Sequence, residues 1–259
     1  MLGFADQSQN GGPAGSRGYR AYVVGDVHGR LDLLEDLLAK IHAELQHRPA
    51  AKTLLVFVGD LIDRGPSSAQ VIERLRTYRR SGIKPVFLLG NHEEVLLRIL
   101  QGDSQLITKW RWFGGSECLQ SYGVDPAQLA GLREEESLAV VRDAVPAAHV
   151  EFLESFVDSC RFGDYLFVHA GIRPGVDLEQ QRQSDLRWIR EPFLMDDTDH
   201  GFIVVHGHTI SDQVEERDNR IGIDTGAYRT NVLTALAIEG ENRWLIDTRP
   251  VSRNEAVPG

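Results

Sequence analysis

The chain has 259 residues, 42% of them apolar, and a formal charge of −10. That length suits one large α/β domain, and the acidic balance disfavours nonspecific binding to a nucleic-acid backbone, which needs a basic footprint. No apolar run reaches the roughly 18 residues of a membrane span, and the N-terminal stretch has no apolar core of a secretory leader, so a soluble cytoplasmic protein that binds no membrane is expected.

Residues 1–18, rich in Gly, Ser and Gln, read as a disordered tail. "YRAYVVGD" (19–26) reads as a buried strand, and "RLDLLEDLLAKIHAELQ" (30–46) carries Leu and Ile at helical spacing. A second strand (53–60), a helix (67–80), a third strand (84–93) and a helix from 93 follow. This βαβαβα order predicts a mostly parallel sheet with helices outside. Residues 102–160 change character and read as a helical cap insertion, in which the aromatics of "WRWFGG" (110–115) are expected to pack as cap core and "REEES" to be a solvated helix face. Strands resume at 165–171, 201–209, 219–226, 231–240 and 243–248, closely enough spaced to include antiparallel pairs, and a loose tail runs from 249 to 259. Cys118 and Cys160 lack metal-type spacing and read as reduced, structural thiols.

The strands share an ending. Gly25-Asp26-Val27-His28-Gly29, Gly59-Asp60, Gly90-Asn91-His92-Glu93, His169-Ala170-Gly171 and His206-Gly207-His208 each follow an apolar run. The carboxyl ends of strands in an open α/β sheet lie along one edge, where ligands bind. Asp26, His28, Asp60, Asn91, His169 and His208 should therefore meet in one crevice. Mixed carboxylate, amide and imidazole donors suit Mn²⁺, Fe or Zn²⁺. Six are too many for one ion with an open position, and fit two ions about 3.5–4 Å apart. If the segment is extended, Asp26 and His28 point the same way and can serve one ion.

"GDVHG" (25–29), "GDLIDRG" (59–65), "GNHE" (90–93), "HAG" (169–171) and "HGHT" (206–209), in this order, resemble the phosphoprotein phosphatase family of metallophosphoesterases. "GGSECLQSYG" (114–123) and "GIDTGAYRTNVLTALAIE" (222–239) are similar to its bacterial branch. The resemblance spans about 20–247 and implies an α/β sandwich of two sheets flanked by helices, within a single domain at 19–248. It implies Asp26 and His28 as ligands of a first metal, Asp60 as a bridge, and Asn91, His169 and His208 as ligands of a second. His206 has no ligand counterpart. The resemblance further implies His92 as proton donor, Asp63 as its orienting carboxylate and Arg64 as a phosphate clamp. A second clamp falls in "DLRWIREPF" (185–193), where Arg190 is preferred to Arg187. The expected reaction is phosphomonoester hydrolysis with two divalent ions, Mn²⁺ first, on phosphoserine or phosphothreonine in proteins or peptides. The alternative is hydrolysis of dinucleoside polyphosphates. A stacking aromatic facing the site would favour nucleotides, with Trp110, Trp112, Tyr122 and Trp188 as candidates, whereas the strand-end motifs supply no cation cluster beyond Arg64 and Arg190.

Overall fold

The computed structural model describes residues 2–4 and 12–250. The strands alternate their burial between two cores, and this sets the layering. They are β1 (Leu2–Phe4), β2 (Tyr19–Val24), β3 (Lys52–Phe57), β4 (Ile83–Phe87), β5 (Ser159–Phe162), β6 (Tyr165–Val168), β7 (Ile203–His206), β8 (Glu215–Glu216), β9 (Arg220–Gly222), β10 (Thr234–Glu239) and β11 (Asn242–Asp247). One sheet runs β11-β10-β2-β3-β4 and the other β1-β5-β6-β7-β9-β8. In β2 and β3, Ala21, Val23, Leu54 and Val56 face Phe167, Val205 and Ile221 of the other sheet. Their sequence neighbours Tyr22, Val24, Leu55 and Phe57 face the helices α1 (Leu31–His47) and α2 (Ser68–Arg76). On the far side, Leu166, Val168 and Val204 of the second sheet pack against Leu186 and Phe193. Strands with both faces covered must be apolar throughout, which is why they read as continuous apolar runs.

β2, β3 and β4 pair in parallel, as do β6, β7 and β9, while β10 pairs antiparallel with both β2 and β11. The mixed two-sheet sandwich flanked by helices is the expected fold class. Residues 102–154 hold the helices α4 (Leu106–Trp110), α5 (Ser116–Ser121), α6 (Glu134–Ala144) and α7 (Ala147–Glu154). Glu134, Glu135 and Glu136 form the exposed first turn of α6. Among the described residues, no helix is long and apolar enough to cross a membrane. Both cysteines are free and buried.

Four sequence expectations change. The region read as a helical cap over 102–160 ends in strand β5 of the second sheet. The third strand stops at Phe87, and Asn91 and His92 open helix α3 (Asn91–Gln101) instead of closing a strand. The strand expected over 219–226 is only Arg220–Gly222, so Asp224 lies just beyond its end. The N-terminal stretch is not a tail throughout: Leu2–Phe4 pairs in parallel with β5, Ala14 N donates to Asp164 at 2.9 Å and Gly15 N to Gly240 O at 2.8 Å. The glycine composition misled here, because a Cβ at Gly15 would overlap the Phe162 ring. That glycine serves close packing. Residues 1, 5–11 and 251–259, which include most of the C-terminal tail read at 249–259, lie outside the described residues.

Candidate active site

The loops after β2, β3, β6, β7 and β9 and the start of α3 meet at one edge of the sandwich. His28, Asp60, Asp63, Arg64 and His208 all have left-handed backbones, with φ between 46° and 71°. Each such residue costs of order 1–3 kcal/mol, and persists only where the surroundings over-determine it. Here the determinants are visible. Val27 N and His28 N both donate to Asp60 O, at 3.1 and 2.9 Å. The buried Glu93 carboxylate accepts from Asp60 N, Leu61 N and Gly90 N at 2.8–3.1 Å, tying the β3 loop to α3. His28 is therefore not part of an extended segment. The i, i+2 argument for Asp26 and His28 fails, and the turn itself delivers the imidazole.

Two clusters of donor atoms share Asp60. His28, Asp60 and His92 form one, and Asp60, His169 and His208 the other; within each, the ligand atoms lie within 4.8 Å of one another. Asp60 Oδ2 is 3.6 Å from His28 Nε2 and 3.8 Å from His92 Nε2, while Oδ1 is 3.4 Å from His169 Nε2. Asn91 Oδ1 meets His169 Nε2 at 2.9 Å and His208 Nδ1 at 2.8 Å. Asp26 Oδ2 accepts from His208 N at 3.0 Å, and its Oδ1 is buried without a partner, as are His208 Nε2 and Asp224 Oδ2. The six residues expected to gather do gather. His206 belongs to neither cluster: its Nδ1 meets Gly207 O and its ring packs edge-on against Phe193.

Electrostatics explain what this edge lacks. Burial pushes the Asp26 carboxyl well up, and Asp224 and Asp60 push it further. Burial likewise lifts Asp224 to about 6 and Glu93 to about 7. Burial would also raise Asp60, but His169, His92, His28 and His208 together hold it below the ordinary carboxylate range. Burial lowers His28 well below and His169 below the ordinary imidazole range, and lowers His208 to about 3. His169 Nδ1 donates to Val58 O at 2.9 Å and His28 Nδ1 to Ile62 O at 2.8 Å, so in the neutral rings the Nε2 lone pairs face the cluster. For His169 that lone pair confronts Asn91 Oδ1, and acceptor facing acceptor calls for a cation between them. At His28 a cation is already present: Arg64 Nη1 donates to Nε2 at 2.9 Å. Orphaned oxygens and nitrogens, clustered carboxylates and oriented imidazoles fit divalent metal ions.

His92 is set apart by its other nitrogen. Its Nδ1 donates to Asp63 Oδ2 at 2.6 Å, and Trp110 Nε1 donates to the same oxygen at 2.9 Å. Burial lowers the His92 pKa, but Asp60 and then the Asp63 hydrogen bond outweigh it, and the net shift is upward. A cavity of about 440 Å³ opens beside His92, lined also by Arg64, Arg190, Phe113 and Trp188. Arg190 Nη2 reaches His208 O at 3.3 Å. Arg187 points away, bound to Asp158 at 2.6 Å and to Glu94 at 3.4 Å, while Arg173 pairs with Asp185. Arg98 and Lys109 complete the cationic rim. The aromatics at 110–115 do not pack together as a core. Trp110 is buried, but Trp112 is 85% and Phe113 56% exposed, because the chain turns through a π-helical segment (Arg111–Gly115) that breaks the helical face. Trp188 is 43% exposed, and Tyr122 is turned away onto His149.

Four residues without an assigned role in the sequence reading also belong here. Asp224 follows the Gly-flanked apolar run "RIGID", so the same strand-end signal marks it. Glu93 sits inside "GNHE", but its role needs the Asp60 and Leu61 N–H groups of another loop besides that of Gly90. Trp110 reads from the sequence as cap packing or as a stacking candidate, and its hydrogen bond to Asp63 is neither. Tyr228 lies 4.8 Å beneath the Arg64 guanidinium and edge-on to His28 at 5.3 Å, a placement no local pattern announces.

Comparison with known proteins agrees with this geometry. The family model of calcineurin-like phosphoesterases matches residues 19–233. Serine/threonine-protein phosphatase 1 of Salmonella typhimurium is 30% identical over 84% of this chain and 91% of its own. The symmetrical bis(5'-nucleosyl)-tetraphosphatase of Vibrio parahaemolyticus is 32% identical over 62% of this chain, which spans about half (48%) of that relative's length. The asymmetrical bis(5'-nucleosyl)-tetraphosphatase PrpE of Bacillus subtilis is 25% identical over 82% and 88% of the two chains. A solved structure named for a suggested diadenosine tetraphosphatase activity superposes with a TM-score of 0.63 over 96% of this chain and 98% of its own, at 21% identity. The cold-active protein-tyrosine phosphatase of a Shewanella species does so at 0.54, over 95% and 82%, at 16% identity. The two structures share the fold.

Proposed function

The chain belongs to the calcineurin-like phosphoesterase family and is a metallophosphoesterase hydrolase; from that premise we propose that it hydrolyses dinucleoside polyphosphates, with two divalent ions, Mn²⁺ foremost, held around Asp60. Asp26, His28 and Asp60 would hold one ion, and Asp60, Asn91, His169 and His208 the other. When bound, the ions supply Lewis acidity and an activated water. Arg64 and Arg190 face the cavity and present planar guanidinium forks that match phosphate oxygens. His92, oriented through Nδ1 by Asp63, offers Nε2 to the departing oxygen, and its upward-shifted pKa keeps it protonated to higher pH than an ordinary imidazole.

The observation that carries the substrate is the cavity lining. Phe113 and Trp188 stand half-exposed on it, and Lys109 adds a cation beyond the two clamps, Arg98 being paired with Asp103 at 2.6 Å. A phosphate monoester on a peptide needs neither. A nucleobase needs an aromatic face, and further phosphates need further charge. The sequence balance favours phosphoproteins because the strand-end motifs supply no cation cluster beyond Arg64 and Arg190, a balance softened by Arg173, Arg182 and Arg187. Arg173 and Arg187 are taken up by ion pairs, and the aromatics and Lys109 on the cavity support the nucleotide reading instead. The full-length similarity to the Salmonella protein phosphatase favours the phosphoprotein reading as the second one. The test is kcat/KM for diadenosine tetraphosphate against a phosphoserine peptide at equal Mn²⁺. A preference above about tenfold, or about 1.4 kcal/mol of transition-state binding, supports the nucleotide. An equal preference for the peptide reverses the order of the two readings.

A further inference from the structure

Asp63 carries no clamp of its own loop on its carboxylate. Its backbone N is held by Ser68 Oγ at 2.9 Å, but Oδ2 is fixed from outside, by Trp110 Nε1 at 2.9 Å, and Oδ1 has no partner. The same Oδ2 takes the His92 Nδ1 proton at 2.6 Å. The indole is 3% exposed. Its seat is built by the two glycines that follow. A Cβ at Gly115 would overlap the indole, and one at Gly114, where φ is 111°, would overlap the Arg64 backbone. Gly114 O in turn accepts from Arg64 N at 3.1 Å, and Ser121 Oγ accepts from Ala69 N at 2.9 Å. The insertion is thus bonded along the whole loop that carries Asp63 and Arg64.

We propose that Trp110 is a positioning residue for the acid: its N–H fixes the Asp63 oxygen that orients His92, so the inserted cap is a working part of the proton-transfer machinery as well as a wall of the cavity. A buried carboxylate with two donors on one oxygen is held at one rotation about χ2. Without the indole N–H the carboxylate keeps His92 on Oδ2 and, beside it, only the buried Cys118 thiol, a weak donor, so it can turn and the imidazole loses its fixed direction.

The proposal rests on His92 being the acid, and the experiment separates the two. Trp110→Phe keeps the ring and removes the N–H. With an alkyl phosphoester its kcat should fall about 10–100-fold, the scale of an orienting partner's loss. With p-nitrophenyl phosphate, whose leaving group needs little protonation, the fall should be under about threefold. In the Asp63→Asn background, Trp110→Phe should add little. Equal losses on both substrates, or full additivity with Asp63→Asn, overturn the positioning role while a leaving-group-selective His92→Asn leaves the acid in place. A His92→Asn variant that loses equally on both substrates removes the acid, and the proposal with it. Where Trp110→Phe does not fold, the indole ¹⁵N–¹H resonance of the otherwise unaltered chain decides. Asp63→Asn should move it upfield, and an unmoved resonance rejects the hydrogen bond.

Discussion

Asp60, 2% exposed beside His92, and Phe113, 56% exposed on the cavity that His92 also lines, belong to regions built in different ways. The strand-end cluster is buried, crosslinked by backbone hydrogen bonds and held in left-handed turns. Its residues come from five separate loops and the head of α3, and all are buried. The cavity wall comes half from the insertion and the segment around α8 (Gln183–Trp188) and largely from α3 otherwise, and its Phe113 and Trp188 meet solvent. On the proposed function, the first region would fix which bond is hydrolysed and the second which molecule is presented. One family can therefore keep a common cluster and still include relatives named for proteins and for nucleotides.

Substitutions should break the two regions differently. The largest effect is expected at the shared carboxylate. Asp60→Asn should weaken metal binding at both positions and abolish turnover on every substrate, as read by calorimetric Mn²⁺ titration and rate; a variant that keeps two bound ions and a normal rate would refute the bridge. Next is His92→Asn, which should retain metal while kcat on alkyl phosphoesters drops roughly 10²–10⁴-fold. The two arginines of 185–193 come third. Arg190→Ala should lower kcat/KM about 10²-fold through a lost phosphate contact. Arg187→Ala should spare kcat and cost about 1 kcal/mol of stability, because its partners are Asp158 and Glu94. Matching losses of kcat/KM in both variants would erase the distinction between them. Smallest in activity is Glu93→Ala, which leaves the Asp60, Leu61 and Gly90 amides buried and unpaired. A loss of about 2–4 kcal/mol, or roughly 5–15 °C in Tm for a chain of this size, is expected by calorimetry.

The same division explains what the sequence reveals. Asp26, His28, Asp60, Asn91, His169 and His208 were legible because residue type, strand end and flanking glycine are all local signals. Their mutual placement follows from sheet topology. The reason given for Asp26 and His28 was wrong in detail, since a left-handed turn cannot be told from an extended end by composition. Trp110, Phe113 and Trp188 were illegible in their roles. Whether an aromatic is core, anchor or platform depends on tertiary placement: the π-helical turn leaves Trp110 buried and Phe113 exposed, and Trp188 stands half-exposed at the end of α8. Arg187 is drawn off by Asp158 and Glu94, acidic partners far back in the chain that no local pattern announces, whereas Arg190 lines the cavity. Glycine richness at 12–18 was misread because close packing and flexibility demand the same residue.

The division itself is open to one direct measurement: the ratio of kcat/KM for diadenosine tetraphosphate to that for p-nitrophenyl phosphate, in the unaltered enzyme and in Phe113→Ala/Trp188→Ala. Stacking contributes about 1–3 kcal/mol per base. If the cavity wall selects the substrate, the ratio should fall at least about tenfold, with the nitrophenyl reaction changed by less than about threefold. A ratio that stays constant, whether both rates hold or both collapse together, would contradict the separation of chemistry from selection.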